Sequence, residues 1–536
     1  MILDTLITGA EVYDGQHTEP QRVSVGIVGR HIAWVGEAPV GHAARQTVHA
    51  PGTVLCPGFI DAHASTGLGY MLPNAADHKL YQGVTTEVIG NCGTSNAPIG
   101  PHLLAAAERE ASGIGAPLRW RGMGEWLDQL DAHGLPINVA THIGHSTLRA
   151  STGAWQTMLS STQQEELVAL LSEGMVAGAL GMSTGLIYPP GSLSTTGELI
   201  ALAKIVSAVG GVYVSHIRDE RHGLEDAIEE ALTIGRQAGL PTIISHLKAA
   251  ERANWGKIPG VLARLERERA SGQAVTVTAY PYTAVSTRLR AFLPTAILQD
   301  GVSGMGVRLK TPEGRAAAIT HLQARGTDFA ALTLITESLP GGQGRSISIL
   351  AQHRREAPAD TAIAVLLSDP EAWIVYHCID EADMDAALLW PDAIVCSDSW
   401  SYPVNAANPV GNPHPRTYGA FTEFLEKYAL SRPRLSLGAA VRKMTSLPAD
   451  WLGLPDRGRI ALGAAADLVL LTPDRVHACA TYDDPRQFSE GTEQVWVNGV
   501  AMLDEEGHIR PMLPGTTLRR QASGSAARRS PSDPAG

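Results

Sequence analysis

Gly210-Gly-Val-Tyr-Val-Ser-His216 and Pro241-Thr-Ile-Ile-Ser-His246 are two apolar runs, each closed by Ser-His. Between them, Leu224 to Gly239 (LEDAIEEALTIGRQAG) has the spacing of an amphipathic helix and stops on a glycine. Strand, helix and strand over about 30 residues make one unit of a parallel β/α fold. Its right-handed crossover returns the chain to a neighbouring strand of the same direction. His216 and His246 are therefore expected side by side at the carboxyl ends of adjacent strands, the rim where β/α barrels do their chemistry. One strand-terminal histidine says little, but two of them one unit apart point to a metal or catalytic site.

At 536 residues the chain suits a large barrel with an appendage. A net charge of −12 without a basic stripe in the body argues against a nucleic-acid partner. The amino terminus carries Asp4 and no basic start, unlike a signal peptide. Apolar runs stay short of the roughly 20 residues that span a bilayer, so no membrane role is expected. Cys56, Cys92, Cys378, Cys396 and Cys479 are scattered and odd in number, which is no disulfide framework. These features together place the protein in the cytoplasm; oligomeric state leaves no mark on the sequence.

Residues 1–56 alternate apolar and polar in short pieces separated by turns such as Asp14-Gly15, and the pattern returns in Ala466-Asp-Leu-Val-Leu-Leu471 and Val495-Trp-Val-Asn-Gly499. Two β-rich pieces flanking a β/α body predict one small sandwich built from both termini. The expected fold is thus α/β, a (β/α)8 TIM-like barrel at 57–455 with a small β-sandwich domain from 1–56 and 456–515. A polar, Ser/Pro-rich tail at 516–536 is expected to be disordered. Barrel strands are read at Val54–His63, Thr85–Cys92, Ile137–His142, Gly178–Ser183, the two Ser-His runs, Ala274–Tyr280 and Ala393–Asp398. The stretch around 283–392 exceeds a β/α loop and reads as an insertion over the barrel mouth, with an extra strand at Trp373–Tyr376.

The predicted strand ends collect His63, Cys92, His216, His246 and Asp398. Thiolate and imidazole are ligands that zinc prefers, and a catalytic zinc keeps one position open beside three protein ligands. Cys92, His216 and His246 make such a set, although a lone Cys92 would read as a buried apolar side chain. Asp398, in Ser-Asp-Ser, is either a helix cap or a general base that passes a proton from water to a departing nitrogen. His145 is open between loop hydrogen bonding and site contact, while His102, His133, His353 and His414 default to solvent or packing.

Pro57-Gly-Phe-Ile-Asp-Ala-His63, with the opening Leu6–Gly15 and the closing Ala466-Asp-Leu-Val, resembles the amidohydrolase superfamily. Within it, Gly90-Asn-Cys-Gly93, Gly144-His-Ser-Thr-Leu-Arg149, Ser183–Pro190, His216-Ile-Arg-Asp-Glu220, Ile244-Ser-His-Leu-Lys248 and His414-Pro-Arg416 are similar to the D-aminoacylase (N-acyl-D-amino-acid deacylase) family. The resemblance implies a tight zinc site at Cys92, His216 and His246, with His63 in a weaker second site and Asp398 as acid/base. It also implies that Arg416, Tyr188, Lys248 and Ser286 hold the substrate's carboxylate and carbonyl. The family's His-x-His reads here as His63-Ala-Ser65, and its Ser-His-His-Lys carries Leu247. A hydroxyl is a poor zinc ligand, so one tight Zn2+ and a weak or absent second metal are expected. The implied activity is hydrolysis of the amide of a small N-acyl amino acid, with D preference resting on the resemblance alone. Two alternatives stand beside it. One is a pathway-specific deacylase or cyclic-amide hydrolase acting on a larger metabolite, and the other a zinc-binding pseudoenzyme.

Overall fold

The computed structural model describes residues 2–37, 44–65, 67–299, 301–404 and 411–520. The two Ser-His runs form parallel strands at Val212–His216 and Thr242–Ile244, with Tyr213 beside Thr242 and Ser215 beside Ile244. The helix between them, Leu224–Ala238, buries Leu224, Ile228, Ala231 and Leu232. Gly239 ends it at φ 67°, a left-handed turn that costs glycine nothing.

Among the described residues eight parallel strands close into a barrel: Phe59–Asp61, Val84–Ile89, Asn138–Thr141 continued by Ile143–Gly144, Gly181–Gly185, the two above, Val275–Ala279 and Ala393–Val395. Closure runs through the rim, where the Asp398 N–H donates to His63 O at 3.0 Å and the Ser65 N–H to Ser399 O at 2.8 Å. The strand period of two then sorts side chains. Val212 and Val214 join Ile60, Ala62, Val88, Ile243 and Ile394 in one apolar cluster, whereas Tyr213 packs with the surrounding helices. His216 shares the parity of Val212 and Val214, so the backbone that builds the barrel interior also aims this imidazole inward.

Outside the first strand, Lys79 is fully buried between Asp61 at 2.6 Å and Glu87 at 2.9 Å, with the Ser397 hydroxyl at 2.9 Å. Two carboxylates stripped of water need this cation, and they hold its pKa above the usual lysine range against the opposing effect of burial. Lys79→Met is expected to cost about 3–5 kcal/mol, because it leaves buried carboxylates uncompensated. Urea unfolding of wild type and variant measures this directly, and a loss under 1 kcal/mol would refute it.

The small domain is a sandwich of two sheets. One contains His31–Gly36, Ser24–Val28, Leu3–Thr8 and Ala44–His49; the other contains Glu11–Val12, Val54–Pro57, Leu468–Leu471, Thr492–Val497 and Val500–Ala501. Ile7, Val25, Ile27 and Leu55 meet Leu468, Leu470 and Trp496 in its core, so both termini are needed to fill it. The apolar run Val54–His63 is two strands rather than one. Val54–Pro57 pairs with Leu468–Leu471 in the sandwich, and the barrel starts after Gly58.

The inserted segment carries an antiparallel sheet, Ala284–Arg288, Trp373–His377 and Leu332–Leu334. It ends earlier than 392, since Glu381–Leu389 is a helix packed on Ile258–Ala270 of the barrel's outer ring. The tail also stays ordered longer than its composition suggests. Thr517 Oγ1 donates to Asp131 at 2.6 Å and the Leu518 N–H to Val139 O at 2.8 Å; the expected disorder over 521–536 lies outside the described residues. Among the described residues no helix is long and apolar enough to cross a membrane.

Candidate metal centre

Cys92, His246 and Asp398 stand just past the ends of strands two, six and eight at φ 51°, 34° and 48°. Non-glycine residues occupy this left-handed region at a cost of about 1–3 kcal/mol each and keep it only where the surroundings dictate it. Here the turns direct three reactive side chains toward one point.

Cys92 Sγ lies 3.3 Å from His63 Nε2, 3.3 Å from His246 Nε2 and 3.5 Å from His216 Nδ1. His63 Nε2 is 3.6 Å from Asp398 Oδ1. His63, Cys92, His246 and Asp398 thus bring four donor atoms within 4.8 Å of one another. A tetrahedral zinc with bonds of about 2.3 Å to sulfur and about 2.05 Å to nitrogen separates those atoms by about 3.6 Å. The observed spacing therefore fits the ion. The charge state fits as well. Burial pushes the Cys92 thiol well up, with the Asp398 carboxylate adding to it, so a thiolate here requires a cation. Burial also lowers His216 to about 3 and His63 well below the ordinary imidazole range, leaving both in the neutral form that ligates metals.

A second layer steadies this cluster. Glu220 Oε1 is 3.1 Å from His246 Nδ1 and accepts from Lys248 Nζ at 2.6 Å. Burial would raise Glu220, but Lys248 and the two histidines hold it well below the usual carboxylate range. Glu220 stands where a carboxylate could orient His246, and with His216 and His246 it also forms a group whose donor atoms lie within 4.8 Å of one another. Sequence reading assigned it no role; its signal was the spacing in His216-Ile-Arg-Asp-Glu220, four residues past a strand-terminal histidine. Lys248 sits in this layer, with Nζ also 2.7 Å from His246 Nδ1.

Arg416 pairs with Asp398, its Nη1 2.9 Å from Oδ2, and lies over the Tyr280 ring, 4.6 Å from its centroid. Burial alone would raise the Asp398 carboxyl, yet Arg416, His246 and His63 bring it down to about 2. His414 holds this arrangement from below: its Nδ1 accepts from the Arg416 N–H at 3.0 Å and its Nε2 lies 3.1 Å from Ala284 O. The His-Pro-Arg spacing was the available sign of that contact.

Tyr188 packs edge-on to His216, 5.3 Å between ring centroids, and its hydroxyl pairs with Thr287 Oγ1 at 3.0 Å. Ser286 is the neighbour of Thr287 on the inserted strand, so its side chain leaves from the opposite face. His145 is turned away from the cluster, joining Arg149 on Glu198 at 2.8 Å.

A model of the amidohydrolase family matches residues 46–334 and 409–502. N-acyl-D-glutamate deacylase of Alcaligenes xylosoxydans xylosoxydans is 35% identical over 523 residues, covering 97% of each chain. A structure of D-aminoacylase, from work on one-metal activation and second-metal attenuation in its binuclear centre, superposes with a TM-score of 0.81 at 30% identity, over 97% of this chain and 100% of that one. N-acyl-D-glutamate deacylase from Bordetella bronchiseptica, complexed with zinc and a phosphonate mimic of the tetrahedral intermediate, superposes at 0.79 with 30% identity and the same coverage. With the family matched over most of its length and a relative aligned along nearly all of it, this chain belongs to the amidohydrolase family.

Proposed function

We propose that the protein is a zinc-dependent hydrolase of N-acyl-D-amino acids, converting the amide and water into a carboxylate and a free amino acid. The observation that carries this is one thiol within 3.5 Å of three imidazoles, beside a carboxylate braced by a buried arginine. Cys92, His216 and His246 would hold the zinc tightly, with His63 alongside. Ser65 offers only a hydroxyl where a second metal would want imidazole, and the one-metal activation described for the D-aminoacylase neighbour supports a single tight site. When bound, zinc supplies a Lewis acid for the acyl carbonyl and lowers the pKa of water.

Asp398 takes the proton of the attacking water and returns it to the leaving nitrogen. Its pKa of about 2 keeps it ionised but makes it a weak base in the resting site. A substrate carboxylate on Arg416 would share that guanidinium's charge and make Asp398 more basic when substrate is in place. Arg416→Ala is accordingly expected to raise KM for carboxylate-bearing substrates by about 10- to 100-fold, the worth of a charged hydrogen bond. Steady-state kinetics against the matching N-acyl amine decides it: equal losses on both substrates would remove Arg416 from carboxylate binding.

The D preference rests on the relatives and has a simple test. Zinc-loaded protein is incubated with N-acetyl D- and L-amino acids, and primary amine release is measured. Release from D substrates is the expected outcome, and equal release from both series would overturn it.

A further inference from the structure

Past the end of strand eight, Ser397, Ser399 and Ser401 alternate with Asp398, Trp400 and Tyr402. Trp400 and Tyr402 pack with Ala284 and Val375 of the inserted sheet, and the serines turn to a different set of partners. The Lys79 ammonium reaches Ser397 Oγ at 2.9 Å and Ser399 Oγ at 3.2 Å, and the two hydroxyls are 2.7 Å apart. Asp61 completes the group. Its Oδ1 accepts from the Ser397 N–H at 3.0 Å, and its Oδ2 accepts from the Ser397 hydroxyl and, at 2.6 Å, from Lys79. Ser401 lies one step further along, on Glu87 at 2.9 Å. Lys79, Asp61, Ser397 and Ser399 are at most 1% exposed, so water does not compete for these bonds.

Asp398 thus sits between two residues that one buried cation holds. Its own backbone is left-handed at φ 48°, a conformation that persists only where its flanks are fixed. Its N–H is given to His63 O, and the carbonyl of Ser399 takes the Ser65 N–H. Asp61 also accepts from the His63 N–H at 3.4 Å. The clasp therefore ties the turn that carries Asp398 to the strand end that carries His63.

We infer that Ser397 and Ser399, held by Lys79 and Asp61, are positioning residues for Asp398 and keep its carboxylate where it takes the proton of the attacking water. The inference rests on the function proposed above and adds to it the device that sets the base. A displacement of about 1 Å in a reacting group costs on the order of 10²-fold in rate, so releasing one flank is expected to cost about tenfold or more.

The test compares Ser397→Ala and Ser399→Ala with Ser401→Ala in zinc-loaded enzyme. Each of the first two should lower kcat about tenfold or more, with KM within about threefold of wild type and zinc content unchanged. Ser401→Ala removes a buried hydroxyl one step beyond the clasp and should move kcat by less than about threefold. In an Asp398→Asn background the clasp substitutions should cost nothing more, because the base they position is gone. Hydrogen exchange, read by mass spectrometry on peptides spanning 59–65 and 396–402, should quicken about tenfold or more in both clasp variants. Near-wild-type kcat in both, an equal fall with Ser401→Ala, loss of zinc, or the full loss repeated in the Asp398→Asn background would overturn the inference. The two readings fail separately. If wild type hydrolyses no N-acyl-D-amino acid, the activity is wrong, while the exchange rates still decide the clasp, and unchanged exchange in both variants overturns it.

Discussion

Asp398→Asn is expected to lower kcat/KM by about 10²- to 10⁴-fold while zinc stays bound, the range over which one positioned acid/base acts. The substitution suits its setting. Asn is nearly isosteric with Asp and tolerates the left-handed backbone found at φ 48°, so the link between strands one and eight should survive. Arg416 would still find an acceptor, now an amide oxygen, and KM should move less than kcat. What disappears is the ability to take a proton from water. His63, 3.6 Å away, is buried and held neutral, but replacing the carboxylate with imidazole at that position would place the base on a residue that the zinc chemistry also needs. Measuring turnover together with metal content separates the cases. Turnover within threefold of wild type would remove Asp398 from the reaction, and loss of zinc would make it a ligand instead.

Cys92→Ala should have an effect at least as large by a different route. Its sulfur is the atom shared by all three imidazoles, so its removal opens the centre of the cluster and takes away its only thiol donor. Partners that merely orient a metal ligand are worth about 10- to 100-fold in affinity, and a ligating thiolate should exceed that. Wild type is expected to retain about one zinc per chain after dialysis. The variant should retain little, with activity down by more than about 10³-fold and the fold intact by circular dichroism. Full zinc content in the variant would move the tight site to His63, His216 and His246. The same preparation reports stoichiometry: two tightly held zinc ions in wild type would show that Ser65 does not weaken the second site.

Much of this was legible in the chain because the signals are local. Apolar runs of strand length ending in Ser-His, Asn-Cys-Gly or Ser-Asp-Ser, with amphipathic helices between them, specify strand ends one β/α unit apart, and barrel closure does the rest. His63, Cys92, His216, His246 and Asp398 could therefore be placed on one rim by counting strands. Pairings across the chain were decided by tertiary structure. Glu220 meets Lys248 and His246 only because strands five and six are neighbours, and Arg416 meets Asp398 although the two lie well apart in the sequence. Val54–Pro57 left the barrel for the sandwich because Leu468–Leu471, some 400 residues on, offers it an antiparallel partner. Residues 517 and 518 are ordered by Asp131 and Val139 despite a disorder-like composition. Hydrophobic periodicity encodes which face of an element is buried. The partner across that face is set by where the closed barrel brings distant segments together, and that selects the contacts that tune the site.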